Sequence, residues 1–169
     1  MKGLTVVAML MGAAATSVTG GETLDSAQDA QLKALFPSAA TFPTKRGDPP
    51  HFDAFVEPQT PAGAAFWTTE LDPLERGYGG PIKILVGITT AGLLSGVIVV
   101  DHREPFGYFS IDRPEFAAQF RGKNIGDPFK VGGDVDAVSR ATMSVTSATR
   151  AIRDSARLAA RRLFQAKNP

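Results

Sequence analysis

The sequence predicts an α+β fold: an antiparallel sheet with a central hairpin, packed by helices that include a long basic C-terminal one. Two observations carry this. Residues 82–88 (IKILVGI) and 93–100 (LLSGVIVV) are rich in β-branched side chains and flank Thr89, Thr90, Ala91 and Gly92, a stretch of hairpin-loop length. From Thr142 or Ser144 to Phe164, Ala148, Ile152, Ala156, Ala159 and Leu163 recur at three- and four-residue steps, and Arg150, Arg153, Arg157 and Arg161 form a second stripe of the same period. The 169 residues, 43% hydrophobic and 21% charged, suffice for one domain with its own core and rule out two large ones.

Residues 1–20 stand apart from that domain, which is expected over residues 21–169. Lys2 precedes an uncharged run that includes Leu4, Val6, Val7, Met9, Leu10 and Met11 and then fades into small residues, the layout of a secretory signal peptide. Cleavage after Gly20 or after Ala15 fits the pattern. An uncleaved anchor is the alternative, since the 18 residues from 3 to 20 reach the lower end of the roughly 17–25 that span a bilayer. Either way the expected location is the periplasm or cell envelope.

The remaining elements follow in chain order. Residues 25–36 predict a short amphipathic helix through Ala27, Leu32, Leu35 and Phe36, capped by Asp25 or Ser26 and stopped by Pro37. Pro43, Pro49, Pro50, Pro58 and Pro61 make residues 38–61 irregular or edge-strand chain, with an alternating strand candidate at 51–56. Residues 66–71 (FWTTEL) are expected to form a third strand. Near-continuous hydrophobicity in the 82–100 hairpin implies that both its faces are covered by helices. Residues 114–120 predict a short helix with Asp112 as cap and Pro114 in its first turn, ending near Gly122.

Charge is unevenly placed. From Arg140 onward seven basic residues face one acidic residue, a net +6, which leaves −6 for residues 21–139. The arginine stripe reads as a solvated face over an acidic neighbour, or as a surface for a partner or for anionic lipid, hence a peripheral membrane contact. The total of +1 carries no basic excess of the kind that makes a chain bind nucleic acid by default.

Several chemistries are excluded. The absence of cysteine removes disulfides, thiolate metal sites and thiol nucleophiles. His51 and His102 are the only histidines and form no metal-ligand spacing, and neither GxSxG nor SxxK occurs. Residues 77–80 (GYGG) are glycine-dense but precede a strand rather than a helix, which reads as a tight turn and not a phosphate loop. The unusual segment is 134–147, where Ser139, Thr142, Ser144, Thr146 and Ser147 crowd the start of the long helix. Two readings stay open: simple helix capping, or an anion site at the helix N-terminus with Arg140 adding charge.

Residues 136–142, Asp136-Ala137-Val138-Ser139-Arg140-Ala141-Thr142, resemble the Asp-x-x-Ser/Thr-Gly-Ala-Thr/Ser flavinylation motif of the FMN-binding domain family. That family includes flavin-carrying subunits of sodium-pumping NADH:quinone oxidoreductases and of Rnf complexes, and the periplasmic domain of NosR-type regulators. The order GYGGPIKILVGI, a Gly-ended turn, VIVVDHREP, the motif and a basic helix is most similar to the NosR-type branch. The resemblance implies FMN esterified through its phosphate to the final hydroxyl of the motif, here Thr142, by a flavin transferase that takes FMN from FAD. It also implies that Asp136 and Ser139 shape the turn or engage the transferase, with Arg140 and Ala141 in the same cofactor-binding motif. Tyr78, Gly79, His102, Glu104 and Pro105 fall in segments that resemble the family's ligand-side loops. Of Phe106, Tyr108 and Phe109, two are expected in the core.

Arg140 stands where the family pattern has Gly. Arg in a left-handed conformation costs about 1–2 kcal/mol, so the expectation is a different turn or a backbone that is not left-handed there. The function implied is an exported electron-transfer flavoprotein, rather than a stand-alone enzyme, exchanging electrons with separate membrane or periplasmic redox proteins. The alternative is a non-redox accessory or maturation module that keeps the fold without flavin. A flavoenzyme reducing a small acceptor has only the His102/Glu104 pair in its favour.

Overall fold

A computed structural model describes residues 24–164. The signal-peptide expectation for residues 1–20 lies outside the described residues. In chain order the elements are α1 (Ser26–Leu35), β1 (Phe52–Glu57), β2 (Thr60–Trp67), β3 (Lys83–Thr89), β4 (Leu94–Asp101), α2 (Pro114–Ala118) and α3 (Thr142–Leu163). The four strands form one antiparallel sheet in the order β1-β2-β3-β4. Each strand pairs with its sequence neighbour, so the sheet is a meander, with short turns at β1–β2 and β3–β4 and a longer connection, residues 68–82, between β2 and β3.

The central hairpin forms where the β-branched runs predict it. Thr89 N–H donates to the Leu93 carbonyl and Gly92 N–H to that of Thr89, and Gly92 takes the positive φ of 77° that closes the turn. Period-two alternation then sorts side chains onto two faces. Ile84, Val86 and Ile88 of β3 join Phe66, Leu94 and Val97 beneath α3, whose Val145, Ala148, Ile152, Ala156 and Ala159 are buried against them. Leu85 faces the other way, into a second cluster with Leu32, Leu35 and Phe36 from the α1 side and Phe52, Ala54, Ala65 and Trp67 from β1 and β2. Helices on both faces explain the nearly unbroken hydrophobic run. Asp25 caps α1 by accepting from Gln28 N–H at 2.7 Å, as expected of its position.

Two expectations are corrected. The strand placed at 66–71 is β2, Thr60–Trp67, and it ends because the Thr68 hydroxyl takes over the ladder. That hydroxyl donates to the Ile82 carbonyl at 2.9 Å and accepts from Ile84 N–H at 3.0 Å, so the backbone is released into a single turn of 3-10 helix, Thr68–Glu70. Asp112 does not cap α2. Arg113 holds the cap position without a side-chain bond, and the Asp112 carboxylate is turned toward His102.

The arginine stripe divides by role. Arg157 is half-buried and donates to the carbonyls of Ile125 and Asp127, both at 2.8 Å, tying α3 to the 124–128 turn. Arg153 pairs with Asp154 at 2.7 Å, and that carboxylate raises the guanidinium's pKa. Arg150 and Arg161 are exposed and make no ion pair among the described residues.

Candidate functional site

Three stretches far apart in sequence meet at the N-terminal end of α3: the 77–80 turn before β3, the 102–110 segment after β4, and the first turn of α3 itself. Glu104 joins them. Its side chain is 6% exposed, with Oε1 accepting from Gly79 N–H at 2.8 Å and Oε2 accepting from the Ser144 hydroxyl at 2.5 Å. Burial of a carboxylate is costly unless its lone pairs are engaged, and here each oxygen has a donor from a different segment. The packing leaves no room for side chains at Gly77 and Gly79. A Cβ on Gly79 would land on the Arg103 carbonyl, and one on Gly77 on the Glu104 carboxylate. Gly77 and Gly79 are therefore required by close approach to the 103–104 backbone and carboxylate, and Gly80 by its positive φ of 128°.

His102 fixes the neighbouring loop. Its Nδ1 accepts from Glu104 N–H at 3.0 Å, which leaves the proton on Nε2, and Nε2 donates to Asp112 Oδ1 at 2.7 Å. Gly107 packs directly on the imidazole. Beyond it the chain turns tightly, with the Ser110 hydroxyl donating to the Phe106 carbonyl at 2.8 Å. This turn carries Phe106 and Tyr108 outward, 44% and 70% exposed, with the half-buried Phe109 between them at ring distances of 5.6 and 4.9 Å. The expectation that two of these three aromatics lie in the core is overturned, because the internally bonded turn has only Gly107 and Ser110 facing inward. Tyr78 and Met143, 73% and 60% exposed, flank Gly79 and Ser144 in the chain. Exposed aromatic and thioether surface thus borders the start of α3.

Thr142 is the first residue of α3, and it is exposed. Ala141 occupies the cap position, and no side chain bonds the N–H groups of the first turn. The crowd of hydroxyls therefore does not cap the helix. Ser144 is committed to Glu104, and the Thr142 hydroxyl makes only a long 3.4 Å contact to the Val138 carbonyl. An uncapped start of a 22-residue helix is a place where backbone N–H groups and the helix dipole favour an anion.

Arg140 has φ of 69°, squarely left-handed, and its side chain is exposed. The alternative of a backbone that is not left-handed is overturned: arginine sits here in a conformation that favours glycine. The reason lies on either side, where Ala141 is buried and its N–H bonds the Val138 carbonyl at 3.1 Å, closing the turn that delivers Thr142 to the helix. Ser139 and Asp136 are exposed on the approach to this turn. Asp136 N–H donates to Gln119 Oε1 at 2.7 Å, and Asp136 borders a cleft with Arg113 and Glu115 near α2. Pro105 is exposed between Glu104 and Phe106.

The arrangement suits a ligand with an anionic end and a flat apolar body. The free N–H groups and Thr142 would receive the anion, with Arg140 adding positive charge, while Tyr78, Phe106, Tyr108 and Met143 offer surface for the body. A more voluminous cleft, about 540 Å³, lies at the opposite end of α3 among Arg46, His51, Asp53 and Arg162, and holds none of these features. Sequence reasoning missed the roles of Met143, Gly77, Gly107 and Asp112, and it treated Ser144 as one hydroxyl among five.

Comparison with known proteins bears on the same residues. Residues 77–157 match the FMN-binding domain family, a span that contains the glycine turn, Glu104 and the start of α3. A subunit of the ion-translocating oxidoreductase complex of Pseudomonas aeruginosa is 40% identical over 88 residues, covering 45% of this chain and 40% of that protein. Its counterpart in the same complex of Shewanella baltica is 32% identical over 88 residues, covering 46% of this chain and 42% of that protein. The chain spans about two fifths of the length of the curated relatives it matches. No helix among the described residues is long and apolar enough to cross a membrane.

Proposed function

Because residues 77–157 match the FMN-binding domain family, we propose that the chain holds FMN at the start of α3, on Thr142, and relays electrons between redox proteins of the cell envelope. The single observation that carries this is the exposed Thr142 hydroxyl at a helix start with no side-chain cap, inside the matched span. Bound there, the flavin supplies the electron-carrying chemistry. The protein's own groups do the rest. The first-turn N–H groups and Arg140 hold the phosphate's charge, and Tyr78, Phe106, Tyr108 and Met143 border the ring.

Attachment is proposed as a phosphoester made by a flavin transferase. Thr142 Oγ1 displaces AMP from FAD: the bond to the FMN-side phosphorus forms, the pyrophosphate P–O bond breaks, AMP leaves and the hydroxyl proton is released. The diester keeps one negative charge, which the helix end stabilises. A covalent bond suits a protein exported away from the cytoplasmic flavin pool, the fate that residues 1–20 suggest. Redox partner proteins are proposed because the relatives are themselves members of an oxidoreductase complex.

The test is the intact mass and denatured-state visible spectrum of protein exported from a host that also makes the transferase. One FMN of added mass, with colour that survives denaturation and is lost in Thr142→Ala, is the expected result. An unmodified wild-type mass refutes the covalent site, and titration with free FMN then separates loose binding from a cofactor-free accessory module.

A further inference from the structure

Glu104 is a buried carboxylate that the proposed attachment does not use. It does not cap α3, because it bonds the Ser144 hydroxyl and not the helix N–H groups, and it does not face solvent. Its other oxygen is held by Gly79 N–H, and its own N–H is held by His102. One oxygen is therefore fixed against the first turn of α3, at Ser144, two residues beyond Thr142, and the other against the 77–80 turn. A charge fixed in a low-dielectric interior acts on its surroundings far more strongly than one in water.

We propose that Glu104 tunes the reduction potential of the flavin held at Thr142, its buried negative charge making the flavin harder to reduce; this rests on the flavin-carrying reading above. Reduction adds negative charge to the flavin, and a nearby fixed carboxylate opposes it. The Ser144 hydroxyl and Gly79 N–H each draw off part of that charge by donating to it. The carboxylate acts through space as a tuning and positioning residue, while contact with the flavin belongs to the exposed surface above it. Of the other charged or titratable groups of the 102–112 segment, Arg103, Tyr108 and Asp112 are exposed, so solvent screens them more, and the His102 ring is held between Glu104 N–H and Asp112.

Two variants of opposite sign test this in the flavin-loaded protein at pH 8. Glu104→Gln keeps the shape and an acceptor for Gly79 N–H but removes the charge, so the midpoint potential is expected to rise. Ser144→Ala keeps the charge and removes one of its donors, so the potential is expected to fall. Opposite shifts, with far-UV circular dichroism and flavin content matching wild type, support the proposal. Unchanged potentials, or shifts in the same direction, overturn it, since general loosening of the site has no reason to reverse sign. If Glu104→Gln does not fold, Ser144→Ala decides alone: a fall supports the proposal, and no change or a rise overturns it. A wild-type chain that takes up no flavin overturns the flavin reading and this inference together, whereas a loaded chain with unmoved potentials overturns only the inference.

Discussion

The imidazole of His102 bridges two ends of one loop, accepting from Glu104 N–H through Nδ1 and donating to Asp112 through Nε2 at 2.7 Å. The bridge fixes the 102–112 segment that carries Phe106 and Tyr108. Asp112→Ala should cost about 1 kcal/mol, because the carboxylate is partly exposed and its bond is screened. Gly107→Ala should cost about 1–3 kcal/mol, since the added methyl meets the imidazole ring. Urea unfolding of the flavin-free protein measures both, and a larger loss for Asp112→Ala than for Gly107→Ala would contradict this ordering.

Arg140 carries the opposite kind of prediction. A left-handed arginine costs about 1–2 kcal/mol, and the greater chain freedom of glycine when unfolded returns roughly 0.5–1 kcal/mol of that. Arg140→Gly should therefore stabilise the protein by up to about 1 kcal/mol and leave the turn unchanged. A destabilised Arg140→Gly protein would show that the guanidinium makes a contact worth more than the strain.

Within the arginine stripe, Arg157→Ala should cost about 1–3 kcal/mol because two carbonyls lose their donor, whereas Arg150→Ala should stay within about 0.5 kcal/mol. If a redox partner docks here, the charges free to meet it are Arg150 and Arg161. Reversing both should slow electron exchange at low salt and flatten its salt dependence with flavin content intact. Stopped-flow oxidation by a partner at two ionic strengths gives the answer, and identical rates would exclude the stripe as the docking face.

Asp134 predicts an acid-sensitive turn. Burial raises its pKa, but bonds from Lys130 N–H, Lys123 Nζ and Phe129 N–H outweigh burial and hold the carboxyl below its ordinary value. A group whose folded pKa is depressed stabilises the fold above its unfolded pKa, and that contribution is lost as pH falls through the folded value. Asp134→Asn should therefore be less stable than wild type at neutral pH, with the gap closing below the ordinary aspartate range. Thermal unfolding at pH 7 and in acid measures the gap, and an equal gap at both would contradict the role of ionisation.

The parts of the fold legible in the sequence are those with strong local periodicity: α1, the β3–β4 hairpin and α3. The register of β2 is not among them, because residues 60–65 (TPAGAA) do not alternate and carry no β-branched residue after Thr60, and they become a strand only by pairing with β1 and β3. At the site, the motif points to Thr142, but no local pattern reveals that Glu104 and Ser144 meet across 40 residues. Exposure of Phe106 and Tyr108 is likewise illegible, since it depends on a turn held by His102 and Ser110. Arg140 shows tertiary context overriding a backbone preference that residue type alone would have honoured.

The meander sets where this chain can be cut. The family-matched span 77–157 contains β3 and β4 but neither β1 nor β2. In the whole chain β3 is laddered along one side to β2, from Gly63 opposite Thr89 to Trp67 opposite Leu85. A fragment trimmed to the matched span would bare that side of β3 as a row of unsatisfied peptide groups beside the uncovered Leu85. Such a flank is a template on which a second copy can stack. The proposed flavin site thus depends on chain beginning at or before Phe52, and shorter fragments should be recovered as self-associated material.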